Sequence, residues 1–168
     1  MKRTSKVYLS VISFTIILFS SCGTTKTPDL HKDNRTSIQK DKVINYAKKQ
    51  IGVKYKYAGN TPKEGFDCSG FTKYVFSNFG FEVPRRSVDY EKTGTKVSLN
   101  NCTKCDVILF TGRDKSKRVT GHVGIVVSNN NGTVKFIHAS SSRGVVISDM
   151  KVSYYKERIL GVRRIINK

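Results

Sequence analysis

The periodicity of apolar residues changes near Pro84, and this change restricts the fold more than any other feature of the sequence. Before it, apolar residues recur at helical spacing in residues 38–51 and again from Cys68 onward. After it, β-branched and aromatic runs follow one another with turn residues between them. Helices followed by consecutive strands predict an α+β fold, with N-terminal helices packed on a multi-stranded antiparallel sheet.

Residues typical of turns and helix caps mark the ends of these segments. Gly52 follows the first predicted helix, Asp67 precedes the second as a candidate N-cap, and Gly80 ends it. Its expected apolar face consists of Phe71, Tyr74, Val75 and Phe79. The predicted strands are 106–111, 122–128, 133–138, 145–147 and 159–165, and the second and third are joined by Asn129-Asn130-Asn131-Gly132, a sequence typical of a hairpin turn.

Residues 1–21 have the pattern of an export signal: a basic head, an apolar stretch at 7–19 and small residues at the end. The apolar stretch is too short to cross a bilayer comfortably. The small residues directly before Cys22 resemble a bacterial lipobox, which implies cleavage before Cys22 and acylation of that cysteine. Several acyl chains would anchor the chain durably in a membrane.

The segment 22–37 is polar and is expected to be a flexible tether, which leaves 38–168 as the folded domain. Gly23 follows Cys22. An Asp at position 23 would resemble the residue that retains enterobacterial lipoproteins in the inner membrane, so Gly23 favours the outer membrane. We therefore expect a lipid-anchored monomer in the cell envelope, on the outer membrane and facing the periplasm.

The chain is strongly basic, with 31 Lys and Arg against 12 Asp and Glu, a net charge of +19. The signal holds three basic residues and no acids, so +16 remains on residues 22–168. Such a charge favours an anionic partner. Nucleic acid is not expected outside the cytoplasm, and no nucleic-acid-reading motif is present. Cell-wall polymers and lipid head groups remain, beside the alternative of a generally basic, solvated surface.

Cys68 is the strongest candidate for a reactive residue. A thiol at a helix N-terminus lies near unpaired N–H groups and the positive end of the helix dipole, which favour the nucleophilic thiolate. The N–H groups of the same turn could stabilise an oxyanion. The alternative is a small, buried apolar cysteine.

Two histidines accompany Cys68. His122 begins a strand as Gly-His-Val-Gly and can act as a general base toward the cysteine. His138 ends the next strand, so the two side chains can lie side by side on paired strands. His138 could then orient His122 through its second ring nitrogen, as the third group of a triad does.

These residues resemble those of the NlpC/P60 family, papain-like cysteine peptidases that hydrolyse the cell wall. The resemblance covers about 38–166 and rests on Tyr55 with Ala58-Gly59, Gly65-Phe-Asp-Cys-Ser-Gly-Phe71, Val83-Pro84-Arg85, Asp106-Val-Ile-Leu-Phe110, Gly121-His-Val-Gly-Ile125 and Phe136-Ile-His-Ala-Ser140. It implies a papain-like fold. It also implies a peptidoglycan endopeptidase that cuts stem-peptide or cross-link bonds through an acyl-enzyme, with no metal and no cofactor.

The resemblance also implies a role for each matching residue. Cys68 is the expected nucleophile, His122 the base and His138 the residue that orients it. Tyr55 is expected to place its hydroxyl near the thiolate. Asp67 and Ser69 are expected to line the cleft and to contact polar ends of the substrate.

The sequence departs from the family pattern at three places. The family usually has Gly where this chain has Cys105, and Gly-Gly where it has Ala58-Gly59. Tyr90 stands near the place of a common Gln. These departures put the shape of the substrate pocket in doubt.

Cys102 and Cys105 form a single C-x-x-C pair. One pair is half of a zinc site, so no metal is expected there. A local disulfide is possible in an oxidising compartment. The favoured interpretation is a turn before a strand with two incidental thiols.

Two other functions remain open. One is an acyltransferase or amidase of the same fold, in which an amine or hydroxyl intercepts the acyl group on Cys68. The other is a wall-binding lipoprotein without catalysis. The presence of Cys68, His122 and His138 together favours the peptidase, because a binding module has no need of all three.

Overall fold

The computed structural model describes residues 30–167, with side chains from Arg35 onward. The expected signal 1–21 and the expected lipidation of Cys22 lie outside the described residues. Two helices pack on one face of a six-stranded antiparallel sheet, which confirms the predicted α+β architecture. Within the described part of the chain, no helix combines the length and apolar character that crossing a bilayer requires.

The helices are α1 (Leu30–Lys48), α2 (Cys68–Ser77) and α3 (Ser153–Lys156), with a 3₁₀ helix at Ser87–Lys92. The strands are β1 (Asn60–Thr61), β2 (Gly65–Phe66), β3 (Thr95–Val97), β4 (Val107–Thr111), β5 (Thr120–Asn130), β6 (Thr133–Ser140), β7 (Gly144–Asp149) and β8 (Ile159–Arg164). All five predicted strands are present. The elements that prediction missed, β1 to β3, α3 and the 3₁₀ helix, are too short to show a periodic pattern.

The large sheet has the order β3-β8-β4-β5-β6-β7, and each neighbouring pair is antiparallel. The last strand, β8, therefore lies inside the sheet, between β3 and β4. Strands β5 and β6 form the predicted hairpin, and Asn131 and Gly132 at its turn have positive φ values of 50° and 85°. Two positive φ values match the right-handed twist of the paired strands.

Both faces of the sheet are covered. In β4, Val107 and Leu109 pack toward the helices, whereas Ile108 and Phe110 pack into a second cluster with Tyr155 of α3. Successive side chains on a strand point to opposite faces. A strand buried on both faces must therefore be apolar throughout, which explains its unbroken apolar sequence.

Helix α1 differs from the prediction at both ends. It begins at Leu30 rather than at residue 38, so residues 30–37 of the predicted tether are helical and not irregular. Once Val43 and Ala47 are packed, each further residue adds a hydrogen bond without a new nucleation step, so polar residues can continue the helix. The helix ends at Lys48, and Ile51, expected on its apolar face, is 50% exposed.

Helix α2 begins where the sequence predicts. Asp67 is its N-cap, and Asp67 Oδ1 accepts a hydrogen bond of 2.6 Å from the Gly70 N–H. Phe71 and Val75 are fully buried against the sheet, as expected. Phe76 is buried as well, so the apolar face is wider than predicted.

Candidate active site

The sheet and α2 bring the three predicted catalytic residues to one cleft. Cys68 is the first residue of α2, His122 lies near the start of β5, and His138 lies in β6. All three line a cleft of about 830 Å³. Its other lining residues are Tyr55, Tyr57, Phe110, Thr111, Gly112, Arg113, Gly121, Ala139, Ser140, Ser141, Ser142, Arg143, Val152, Tyr154, Tyr155 and Arg158.

The two histidines are directly hydrogen-bonded. His122 Nε2 and His138 Nδ1 are 2.8 Å apart, and the rings meet nearly edge to face. Gly124 makes room for this arrangement, because a Cβ there would lie 2.6 Å from the Phe136 ring and 3.2 Å from the His138 Cβ. Since Nε2 of His122 is engaged by His138, its Nδ1 is the nitrogen left for Cys68.

The other ring nitrogen of His138, Nε2, belongs to a hydrogen-bond network that sequence reasoning missed. His138 Nε2 lies 3.0 Å from Ser148 Oγ and 3.3 Å from the Tyr155 hydroxyl, and these two oxygens are 3.2 Å apart. Arg143 Nη2 donates to both oxygens, at 3.3 Å and 3.2 Å. Ser148 and Tyr155 are buried. They lie in β7 and α3, and no local motif connects these positions to His138.

This network is compatible with one working arrangement of protons. If His122 Nδ1 is to accept a proton from Cys68, His122 Nε2 must carry a hydrogen and donate it to His138 Nδ1. His138 must then carry its own hydrogen on Nε2, where Ser148 and Tyr155 offer oxygen acceptors. The hydroxyl pair can therefore hold His138 in the tautomer that leaves His122 able to act as a base.

The two histidines are neutral at rest. Burial lowers the pKa of His122 to about 4. Burial also lowers the pKa of His138 to about 3, and repulsion from a protonated His122 and from the charge of Arg143 acts in the same direction. Neutral imidazoles are the form that can accept a proton.

The expected resting thiolate at Cys68 is not supported by the structure. Cys68 is only 8% exposed, and burial raises the pKa of its thiol above the usual value. The backbone N–H groups of Val123 and Ser69 lower this pKa, and the charge of Asp67 raises it. Desolvation is the largest effect, so it outweighs the helix N-terminus, and the resting pair is a thiol and a neutral imidazole.

Tyr55 lies at the cleft beside Cys68, where the resemblance places it. It is half-buried and forms an isolated parallel bridge with Phe66 directly before the α2 cap. Burial raises the pKa of its phenol, and the charges of Cys68 and Asp67 raise it further. The hydroxyl is therefore protonated at neutral pH and can donate a hydrogen bond.

Asp67 and Ser69 are not among the residues that line the cleft, which corrects the expectation that they would. Both are buried, and their polar atoms bind Arg85. Arg85 makes a two-pronged ion pair with Asp67, at 2.9 Å and 2.8 Å, and donates to Ser69 Oγ at 3.1 Å. These contacts fix the first turn of α2. The predicted contact of Asp67 and Ser69 with substrate stays a prediction.

Two of the three residues that depart from the family pattern have a left-handed backbone conformation. Ala58 has a φ of 59° and Cys105 a φ of 69°. Glycine adopts this region without the strain that a side chain causes. The third departure, Tyr90, is fully buried, and its hydroxyl has no hydrogen-bond partner among the described residues.

The C-x-x-C pair precedes β4, as predicted, and both thiols are free and buried. Cys105 Sγ contacts the carbonyl of Lys40, whereas Cys102 Sγ lies 3.6 Å from Asn129 Nδ2 and packs in the other core cluster. Burial raises the pKa of Cys102 to about 11 and that of Cys105 to about 12. Neither is thiolate at neutral pH. Within 30–167, no group of three or more His, Cys, Asp or Glu side chains is placed to hold a metal ion.

Known proteins resemble this chain in sequence and in fold. The chain is 39% identical over 118 residues to murein DD-endopeptidase MepS/murein LD-carboxypeptidase of Escherichia coli (strain K12), covering 70% of this chain and 58% of that protein. It is 32% identical over 152 residues to a probable endopeptidase NlpC homolog of Haemophilus influenzae, covering 82% of this chain and 76% of that one. The chain thus spans little more than half the length of the E. coli relative.

A solved structure shows the same fold. The crystal structure of an NlpC/P60 family protein from Bacillus cereus matches with a TM-score of 0.68 and 31% identity, covering 76% of this chain and 40% of that one. The model of the NlpC/P60 family matches residues 52–164, which include every residue of the cleft described above. The chain therefore belongs to the NlpC/P60 family.

Proposed function

We propose that this chain is a peptidoglycan hydrolase, a cysteine endopeptidase that cuts peptide bonds of the bacterial cell wall. The observation that carries the proposal is one cleft in which Cys68 lies at a helix N-terminus and His122 is bound to His138 at 2.8 Å. The names of the E. coli and H. influenzae relatives support the same class of reaction.

The geometry supports nucleophilic acyl transfer. As the Cys68 sulfur attacks the substrate carbonyl carbon, its proton passes to Nδ1 of His122. Because the resting thiol and imidazole are both neutral, this transfer accompanies the attack. His138 accepts a hydrogen bond from the resulting imidazolium and holds its ring in place.

The tetrahedral intermediate then collapses. Backbone N–H groups of the first turn of α2 and the hydroxyl of Tyr55 are the donors available to the oxyanion. The C–N bond breaks, and His122 returns its proton to the leaving amine. Water attacks the resulting thioester, His122 accepts a proton from it, and the carboxylate product and free thiol are released.

Digestion of purified peptidoglycan by the full chain in detergent, with products identified by mass spectrometry, tests the proposal. The wild-type chain should release defined muropeptides and Cys68→Ala should release none. Cys102→Ala is the matched control, since it removes a buried thiol outside the cleft and should retain activity. If wild type and Cys68→Ala both bind peptidoglycan without cutting it, a wall-binding lipoprotein is favoured. Transfer to an added amine without hydrolysis would favour an acyltransferase.

The membrane anchor is a second part of the proposal, supported by the sequence of residues 1–22. Acylation at Cys22 would hold the basic domain near anionic lipid and the wall, on the periplasmic side of the outer membrane. Growth with a labelled fatty acid should label the wild-type chain and not Cys22→Ser. Equal labelling, or none in either chain, would contradict the anchor.

A further inference from the structure

The catalytic cleft has a positively charged wall. Arg113, Arg143 and Arg158 line it, and neither Asp nor Glu is among its lining residues. Elsewhere in the described part of the chain, ion pairs join Arg85, Arg86, Arg164, Lys104 and Lys115 to acids, whereas Arg143 and Arg158 take part in none. The charge on this wall is therefore available to a ligand.

We propose that Arg143 and Arg158 bind a carboxylate of the peptide substrate and so select anionic peptides. This inference rests on the proposed peptidase function and names the substrate group that the cleft recognises. An arginine presents parallel N–H groups whose spacing matches the two oxygens of a carboxylate.

Arg143 is held in position by buried groups. Its Nη2 donates to Ser148 Oγ and to the Tyr155 hydroxyl, both of which belong to the His138 network. A guanidinium has five N–H donors, and these two bonds use only Nη2. Arg143 itself is exposed and follows Ser141 and Ser142, which also line the cleft. The remaining donors are thus oriented before a ligand arrives, which reduces the entropy lost on binding.

Arg158 is also fixed. Its guanidinium carbon lies 3.9 Å above the centre of the Tyr154 ring, and Nη1 donates to the Tyr154 carbonyl at 3.2 Å. Its Nε is buried and has no hydrogen-bond partner among the described residues. The buried Nε is out of reach of a ligand in this conformation, so Nη2, which Tyr154 does not engage, is the donor that Arg158 offers to a carboxylate oxygen. The adjacent acid, Glu157, is held by Lys115 at 2.8 Å.

Binding to a hydrolytically inactive chain tests this inference separately from catalysis. The probes are synthetic stem peptides in which each carboxyl group is converted to an amide in turn, and the measurement is the Kd for Cys68→Ala by calorimetry. One amidation should weaken binding roughly tenfold, the loss expected for one charge-assisted bond. In Cys68→Ala with Arg143→Gln, that same amidation should have little effect, whereas Arg143→Lys should keep part of the preference.

The matched control is Arg86→Gln, which removes the same charge from an exposed site outside the cleft. It should leave the preference unchanged. The inference is overturned if no single amidation weakens binding, or if Arg143→Gln weakens every peptide by the same factor, as a purely structural arginine would. Failure of the proposed function would appear separately, as peptidoglycan left uncut by the wild-type chain whatever the binding result.

Discussion

At the scale of single residues, the hydroxyl groups of Ser148 and Tyr155 determine the hydrogen bonding of His138. They lie 3.0 Å and 3.3 Å from Nε2 of His138, the nitrogen that must carry a hydrogen if His122 is to act as the base. A histidine in this position has two tautomers, and only one suits the reaction. The two hydroxyls are therefore positioning groups, acting on the reaction through His138 and His122.

We expect Ser148→Ala and Tyr155→Phe each to lower kcat several-fold, and about tenfold at most, because each removes one of the two hydrogen bonds to His138 Nε2, of about 1 kcal/mol. The measurement is kcat on peptidoglycan fragments, with the ¹⁵N shifts of the histidine rings as a second readout. Ser98→Ala, outside the cleft, is the control. Unchanged histidine tautomers and unchanged kcat in variants that fold but are less stable would show that the hydroxyls serve stability alone.

A second prediction concerns the pH dependence of the reaction. Burial lowers the pKa of His122 to about 4 and raises that of the Cys68 thiol, so the reactive neutral pair persists between these two values. The acid limb of kcat/KM should therefore lie clearly below pH 6.5, the usual pKa of histidine. A profile of kcat/KM between pH 4 and 9 measures it. An acid limb at pH 6.5 or above would contradict the neutral pair.

The sequence points to Cys68, His122 and His138 as candidate catalytic residues but not to their surroundings. Cys68 can be found because an N-cap precedes it, and the histidines because they occupy strands joined by a recognisable turn. Ser148, Tyr155 and Arg143 carry no such local signal, since only the packing of β6, β7 and α3 brings them together. The raised pKa of Cys68 could not be predicted for the same reason, because desolvation depends on the whole fold and not on the helix N-terminus alone.

At the scale of secondary-structure elements, the long strands of the sheet could be predicted because their apolar residues follow a clear pattern. The short elements at its edge and on its face could not, because they show no such pattern. The strands of 106–111, 122–128 and 133–138 were found because their apolar runs are long and bounded by turns. Strand β3 and helix α3 have three and four residues, which is too few to establish a period. The start of α1 was missed because its first turns are polar.

The left-handed backbone at Ala58 gives a stability prediction for the loop before β1. Ala58→Gly should raise the free energy of unfolding by up to about 1 kcal/mol, because relief of about 1–2 kcal/mol of strain exceeds the entropy that glycine adds to the unfolded chain. Urea denaturation measures it. Ala47→Gly, in the buried face of α1, is the matched control and should lower stability. A loss of stability in Ala58→Gly would argue against strain at this position.

At the scale of the whole molecule, the pair of His122 and His138 links folding to pH. The folded-state pKa values of His122 and His138 lie below the unfolded value of about 6.5. As the pH falls from about 6.5 toward 4, the unfolded chain binds protons that the folded chain excludes. Stability therefore falls as the pH falls, by up to about 1.4 kcal/mol per pH unit for each histidine.

Urea denaturation between pH 7 and 4 should show this slope in the wild-type chain. His138→Gln removes one of the two linked protons and should give a shallower slope, even if its stability at pH 7 is lower. Identical slopes for the two chains would contradict the linkage. The lowered pKa values of Glu91, Asp114 and Glu157 act in the same direction below about pH 5, so the slope between pH 7 and about 5 is the part that reports on the histidines.

The place of β8 inside the sheet determines when the domain can fold. β8 is the last strand in sequence, yet it pairs with both β3 and β4, so Val162 must meet Val97 from the far end of the chain. Contacts between such distant segments form slowly, since a long loop must close first. A nascent chain that ends before residue 159 leaves β4 with an open edge, which favours pairing with other chains. Folding of this domain is therefore completed only after residues 159–164 have been synthesised.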